Sequence, residues 1–179
     1  MKLEIKVPVR PYVRNFLIHY AGPEPIDVTL RSSCLVVDKI HDLLSRPDRK
    51  LYGRKPPSFM KEFTETILLD LGPQKLSCYG FDLTAEKILH FNNFIDKLIR
   101  DRLYLLLDSM LAIEPRANIS KTIRNFMRSY DLEEAGLNYY TLLKGYERYR
   151  DKRPLLDLDV MAFKKSTKKN SPAAFNNAA

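Results

Sequence analysis

The sequence predicts an α+β fold that is mainly α: a small antiparallel sheet or hairpin in the N-terminal half, a long central helix, a helix-turn-helix-like helical region and an extended C-terminal arm. Three observations lead there. Leu3, Ile5 and Val7 alternate with Lys2, Glu4 and Lys6, and Ile67, Leu69 and Leu71 alternate with Thr66, Leu68 and Asp70, the period of a half-buried strand. One helical stripe of apolar residues runs unbroken from Thr84 to Pro115. Beyond Pro154 the pattern decays and ends in the basic run KKSTKKNSPAAFNNAA. The regions are therefore 1–82, mixed α/β; 83–153, helical; and 154–179, a basic arm.

The first strand is expected to stop at Pro8, which lacks the N–H that a ladder uses. A helix follows from Pro11, with Val13, Phe16, Leu17 and Tyr20 on one face, Arg10, Arg14 and His19 off it, and Gly22-Pro23 as its stop. Ile26 to Leu30 forms a short strand. Ser32 or Ser33 then caps a helix to about Leu44, with Val36 or Val37, Ile40, Leu43 and Leu44 inward. The stretch RPDRKLYGRKPPS, residues 46 to 58, is a cationic, proline-containing exposed loop. A strand from Glu65 turns at Gly72-Pro73 into a second extended run around Lys75 to Phe81, a β-hairpin that the first strand completes as an antiparallel sheet.

Thr84 stands at an N-cap, Leu83 and Ile88 are spaced as a hydrophobic staple, and Glu86 lies in the positive first turn. Ile88, Phe91, Ile95, Leu98 and Leu105 carry the stripe to Ile113, a helix of roughly 44 Å at 1.5 Å per residue. Ser120 caps a shorter helix that buries Ile123, Phe126, Met127 and Tyr130. After a connection from Asp131 to Leu137, Asn138 caps another, with Leu142, Leu143, Tyr146 and Tyr149 inward. Leu156, Leu158 and Val160 alternate with Asp157 and Asp159 as an added strand, and no internal repeat is present.

The chain of 179 residues, 45% hydrophobic with 10 Tyr and 9 Phe, has material for one sizeable core or two small ones. Cys34 and Cys78 stand far apart in apolar surroundings, so they read as small buried hydrophobes and not as a disulfide framework or a metal knuckle. No stretch has the length and apolarity of a membrane span, and the charge alternation of the N-terminus does not resemble a signal peptide. A non-secreted, cytoplasmic protein without a membrane partner is expected. Its net charge of +8 and pI near 9.4 favour an acidic partner such as nucleic acid, with DNA ahead of RNA.

The cations gather in particular places. Lys121, Arg124 and Arg128 recur at helical spacing opposite the apolar stripe of a helix that carries no acid, a ridge suited to a phosphate backbone. The following helix adds Lys144 and Arg148, then Arg150, Lys152 and Arg153, interleaved with Tyr139, Tyr140, Tyr146 and Tyr149, whose hydroxyls can donate to phosphate. Helix, Gly-containing connection and basic helix give the outline of a helix-turn-helix; the connection exceeds the usual length unless Leu132 to Ala135 forms a helical turn of its own. Asn138 and Arg148 are the residues nearest to a base-edge role. Arg46, Arg49, Lys50, Arg54 and Lys55 around Tyr52 offer a second phosphate clamp, and Lys164, Lys165, Lys168 and Lys169 add nonspecific attraction.

Catalytic chemistry is not expected. His19, His41 and His90 stand alone, without HExxH, HxH, GxSxG or a Gly-rich phosphate loop, so no cofactor or metal is anticipated. Asp157 and Asp159 with Lys164, or Asp48 with Lys50, lack the rigid strand support that a metal-dependent nuclease needs. The expected function is DNA binding through Lys121, Arg124, Arg128, Lys144 and Arg148, supported by Tyr140 and Arg150. The alternative is a structural or interaction subunit of a larger assembly, such as a virus-particle or mobile-element complex, or a homo-oligomer, whose C-terminal arm packs on neighbours.

Overall fold

The computed structural model describes residues 4–28, 35–43, 57–70 and 83–152. In chain order these form β1 (Glu4–Val9), α1 (Pro11–Ala21), β2 (Ile26–Asp27), α2 (Leu35–Leu43), a 3₁₀ turn (Ser58–Glu62), β3 (Glu65–Asp70), α3 (Ala85–Ile113), α4 (Ile119–Ser129) and α5 (Tyr139–Asp151). The chain divides into two compact units, Met1–Leu142 and Leu143–Ala179, so the second begins within α5. Ser32, Ser33, Cys34, Leu44, the 46–56 part of the loop with Arg49, Lys50 and Arg54, the 75–81 run, Cys78 and the 154–179 arm lie outside the described residues, as do the side chains of His41 and Leu43.

The fold is mainly helical, with a small sheet in the N-terminal half, ordered β1-β3-β2. β1 pairs antiparallel with β3, from Glu4 opposite Asp70 to Val9 opposite Glu65. β2 pairs with the other edge of β3 in parallel, Ile26 opposite Leu69, and the pairing is extended by Val28 N–H donating to the Asp70 carbonyl at 2.9 Å. The sheet is therefore mixed, where the alternation pattern suggested an antiparallel one. Alternation reports which face a residue takes and carries no information on strand direction.

β1 also runs through Pro8 to Val9 instead of stopping there. The reason lies in Asn92, a side chain of α3 that is 0% exposed. Its Nδ2 donates to the Pro8 carbonyl at 3.1 Å and to the Ile88 carbonyl at 2.9 Å, while its Oδ1 accepts from the Arg10 N–H at 2.9 Å. The Pro8 carbonyl thus points away from β3, and in an extended residue the missing N–H lies on that same outer side. The proline removes no bond from the ladder. Asn92 closes the open edge of β1 in the way a neighbouring strand would.

The core of the first unit packs Val7 and Val9 of β1, Ile67 and Leu69 of β3, Val13, Phe16 and Leu17 of α1, and Val36, Val37 and Ile40 of α2 with α3, all buried. Pro11 starts α1 with its φ already helical, and Gly22 ends it at φ 106°, its N–H donating to the Ile18 carbonyl at 3.1 Å. In α3 the Thr84 hydroxyl accepts from the Lys87 N–H at 3.3 Å, as an N-cap should. Its buried line advances in fours through Ile95, Ile99, Leu103 and Leu107. Leu105, expected inward, sits about 120° around the helix from Ile99 and is 68% exposed. Among the described residues no helix is long and apolar enough to cross a membrane.

Candidate nucleic-acid interface

α4 begins one turn after α3 ends, and its N-cap is Asn118, not Ser120: the Asn118 Oδ1 accepts from the Lys121 N–H at 3.0 Å. Either residue type can cap; the helix starts at Ile119, which leaves Ser120 inside its first turn. Ile123, Phe126 and Met127 are buried, whereas Lys121, Arg124 and Arg128 are exposed, so the ridge expected from the spacing is present as a surface. Tyr130, expected on the buried side, is the half-buried C-cap.

Three arginines outside α4 are engaged differently, and Arg102 lies over the Tyr20 ring at 5.2 Å. Arg10 meets Glu62 at 3.1 Å, and Arg14 makes a forked pair with Glu24 at 2.9 and 3.2 Å. Arg100 forks onto Asp96 at 3.1 and 3.3 Å. Burial opposes the Arg100 charge, yet the hydrogen bond and charge of Asp96 outweigh it and raise its pKa; the Glu24 hydrogen bond does the same for Arg14. Among the described residues no carboxylate pairs with Lys121, Arg124 or Arg128.

Two features fix α4 on this scaffold. Phe16 of α1 lies 5.1 Å from the Tyr130 ring, which lies 5.0 Å from Phe126, and His19 meets Tyr130 edge-on at 6.0 Å. The second feature is the turn itself. Asp131 takes the left-handed conformation at φ 50°, with its N–H donating to the Arg128 carbonyl at 3.2 Å, and Leu132 N–H donating to Met127 at 2.9 Å. This pair of bonds is a Schellman motif with aspartate where glycine is usual, and buried Leu132 and Met127 supply its apolar partners. Asn15 Nδ2 donates to the Asp131 carbonyl at 3.0 Å, and His19 Nε2 lies 3.2 Å from its Oδ2.

The same bond pattern recurs immediately. Gly136, at φ 88°, donates to the Glu133 carbonyl at 3.0 Å, and Leu137 donates to Leu132 at 3.0 Å. Leu132 to Ala135 is thus a hydrogen-bonded turn closed at Gly136 and not a helix of its own, so the connection stays longer than that of an ordinary helix-turn-helix. Asn138 then caps α5, its Oδ1 accepting from the Tyr140 N–H at 2.8 Å. That oxygen is engaged at the helix terminus, and the Asn138 side chain lies at the exposed start of α5. Tyr139 is half-buried under the Arg124 guanidinium, 5.3 Å from its ring centroid, and meets Tyr140 edge-on at 5.3 Å. Tyr140 itself is 67% exposed.

In the second unit, Lys144, Arg148 and Arg150 are exposed on α5, with Glu147 exposed among them, while Tyr146 is buried and stacks on Tyr149 at 6.1 Å. The cationic character is weaker there than on α4. Arg49, Lys50 and Arg54 lie outside the described residues. Among the described residues no three His, Cys, Asp or Glu side chains gather as a metal site. Comparison with protein-family models, curated proteins and solved structures returned no match.

Sequence reasoning missed Asn92 and the latch of Asn15, His19 and Asp131. Both join residues far apart in the chain, and neither leaves a local pattern; the one hint was the Asn92-Asn93 pair, whose first member falls within the apolar stripe of α3.

Proposed function

We propose that the chain binds nucleic acid, DNA ahead of RNA, through the cationic ridge of α4, without catalysis. The observation that carries this reading is the contrast between the arginines. Arg10, Arg14 and Arg100 are each matched to a carboxylate, while Lys121, Arg124 and Arg128 project from one rigidly mounted helix face with none. A run of unmatched cations at helical spacing is an electrostatic footprint for a phosphate backbone. Lys144, Arg148 and Arg150 extend the supply of charge in the second unit. The order of α4, a connection closed at Gly136 and the basic α5 keeps the helix-turn-helix outline suggested by the sequence.

The test is charge reversal at Arg124 and Arg128. The double variant Arg124→Glu/Arg128→Glu is expected to stay folded, with a thermal midpoint lowered only by the loss of the surface contact between Arg124 and Tyr139, and to lose at least tenfold in affinity for a labelled oligonucleotide at low salt. Unchanged affinity in the folded variant would refute the proposal.

A second reading is favoured by one surface. Leu105, Leu106 and Ile113 of α3 are 68%, 44% and 87% exposed, an apolar strip of the kind that interaction surfaces carry. Under this reading the protein is an interaction subunit. Its mass in solution exceeds that of one chain, and Leu105→Asp/Leu106→Asp returns it to one.

A further inference from the structure

Resting on the reading of α4 as a nucleic-acid surface, we infer that its ligand is a single strand with unpaired bases, and that Tyr140 and the Arg124–Tyr139 pair form the platform on which a base stacks.

The platform is a continuous arrangement. The Arg124 guanidinium lies 5.3 Å from the Tyr139 ring centroid, and Tyr139 meets Tyr140 edge-on, at 75° and 5.3 Å. Lys121 and Arg128 stand one turn to either side of Arg124 on the same exposed face. Tyr139 is half-buried and holds the guanidinium; Tyr140 is 67% exposed, so its ring is not part of the core. An exposed ring beside a second ring that carries a planar cation, on a helix face with further cations, resembles the pairing of stacking surface and cationic track that sequence-tolerant single-strand binders use.

A duplex makes poor use of these groups. Its base faces are occupied by stacking on each other, which leaves a tyrosine only its hydroxyl for contact with phosphate. Reading base edges in a major groove calls for Asn, Gln or Arg on the inserted helix. The α5 sequence YYTLLKGYERYRD contains neither Asn nor Gln, its arginines Arg148 and Arg150 stand in the last turn and not at the N-terminal end from which a recognition helix reads base edges, and the Asn138 oxygen is engaged by the Tyr140 N–H. An unpaired base offers a free π-face that fits the exposed ring whatever the base is. The Asn138 cap fixes the backbone of Tyr140 and so limits the ordering cost of stacking.

The experiment is a fluorescence anisotropy titration of the full chain against a labelled mixed-sequence single-stranded oligodeoxynucleotide and the duplex of the same sequence. Wild type is expected to bind the single strand about tenfold more tightly than the duplex. Tyr140→Ala should lower single-strand affinity about tenfold and change duplex affinity less than about twofold, while Tyr140→Phe, which keeps the ring and removes the hydroxyl, stays within about twofold of wild type on both. Equal binding of the two forms, an unaffected Tyr140→Ala variant, or a Tyr140→Phe loss as large as that of alanine would overturn the inference. Arg124→Glu/Arg128→Glu separates the two levels of the argument: if it abolishes binding while Tyr140→Ala does not, the stacking platform fails and the cationic ridge stands. If binding survives the reversal, the ridge itself fails.

Discussion

At the scale of single residues, Asn92 and Asp131 are polar groups whose value depends on long-range partners. Asn92→Leu keeps the branched shape of the side chain but leaves the Arg10 N–H and the Pro8 carbonyl without their partner. An orphaned buried polar group costs about 1–3 kcal/mol, so a loss on the order of 2–4 kcal/mol is expected in urea denaturation. Asp131 holds a left-handed backbone that glycine would adopt at lower cost, by about 1 kcal/mol, while its exposed contact with His19 is worth at most about that much. Asp131→Gly should therefore leave the urea midpoint nearly unchanged, whereas Asp131→Val, which cannot accommodate the φ angle, should lower it clearly. Tyr12 carries a third residue-scale effect. Burial and then the nearby Asp96 raise its pKa above the ordinary 10.0, and burial raises that of Tyr104. For an acid whose folded pKa is raised, the stabilising contribution is complete below the unfolded value and is lost as pH rises through the folded one. Thermal midpoints should thus fall above about pH 10, and Tyr12→Phe/Tyr104→Phe should flatten that fall.

At the scale of elements, what was legible followed from local rules. The Thr84 cap and the unbroken stripe marked α3 from end to end, Gly22 marked the stop of α1, and the three cations of α4 fell on the exposed face because helical spacing admits no other arrangement once Ile123, Phe126 and Met127 are buried. Other features depended on partners that spacing does not contain. Pro8 looked like a stop because its outward orientation is set by Asn92, far along the chain. β2 gave no sign of its parallel pairing, and Leu105 followed the mean period of a stripe whose buried line advances in fours. Ser120 and Asn118 are both good caps, and only the first residue of the helix decides between them. The mounting of α4 was illegible for the same reason: Phe16, Tyr130 and Phe126 meet across more than a hundred residues of chain. Tyr130→Ala should remove about 2 kcal/mol by truncating a half-buried ring in that cluster. Hydrogen exchange of the α4 amides should accelerate more than that of α1, since α1 keeps its packing in the sheet core.

At the scale of the whole molecule, charge is distributed unevenly in a way that the net value of +8 conceals. Among the described residues Arg10, Arg14 and Arg100 are paired with carboxylates, while Lys121, Arg124 and Arg128 of α4 are not. Under the proposed function, affinity for a polyanion is concentrated on α4, with Lys144, Arg148 and Arg150 adding charge in the second unit. The most direct test is the salt dependence of oligonucleotide binding, measured by anisotropy for wild type and for Lys121→Ala/Arg124→Ala/Arg128→Ala between roughly 50 and 200 mM salt. Counterion release makes log affinity fall linearly with log salt, with each lost phosphate contact reducing the slope by about 0.7–0.9. A steep wild-type slope is expected, which the triple variant lowers by about 2 to 3, with weaker binding at every salt concentration. A wild-type affinity that does not respond to salt, or a triple variant with an unchanged slope, would contradict the proposed function.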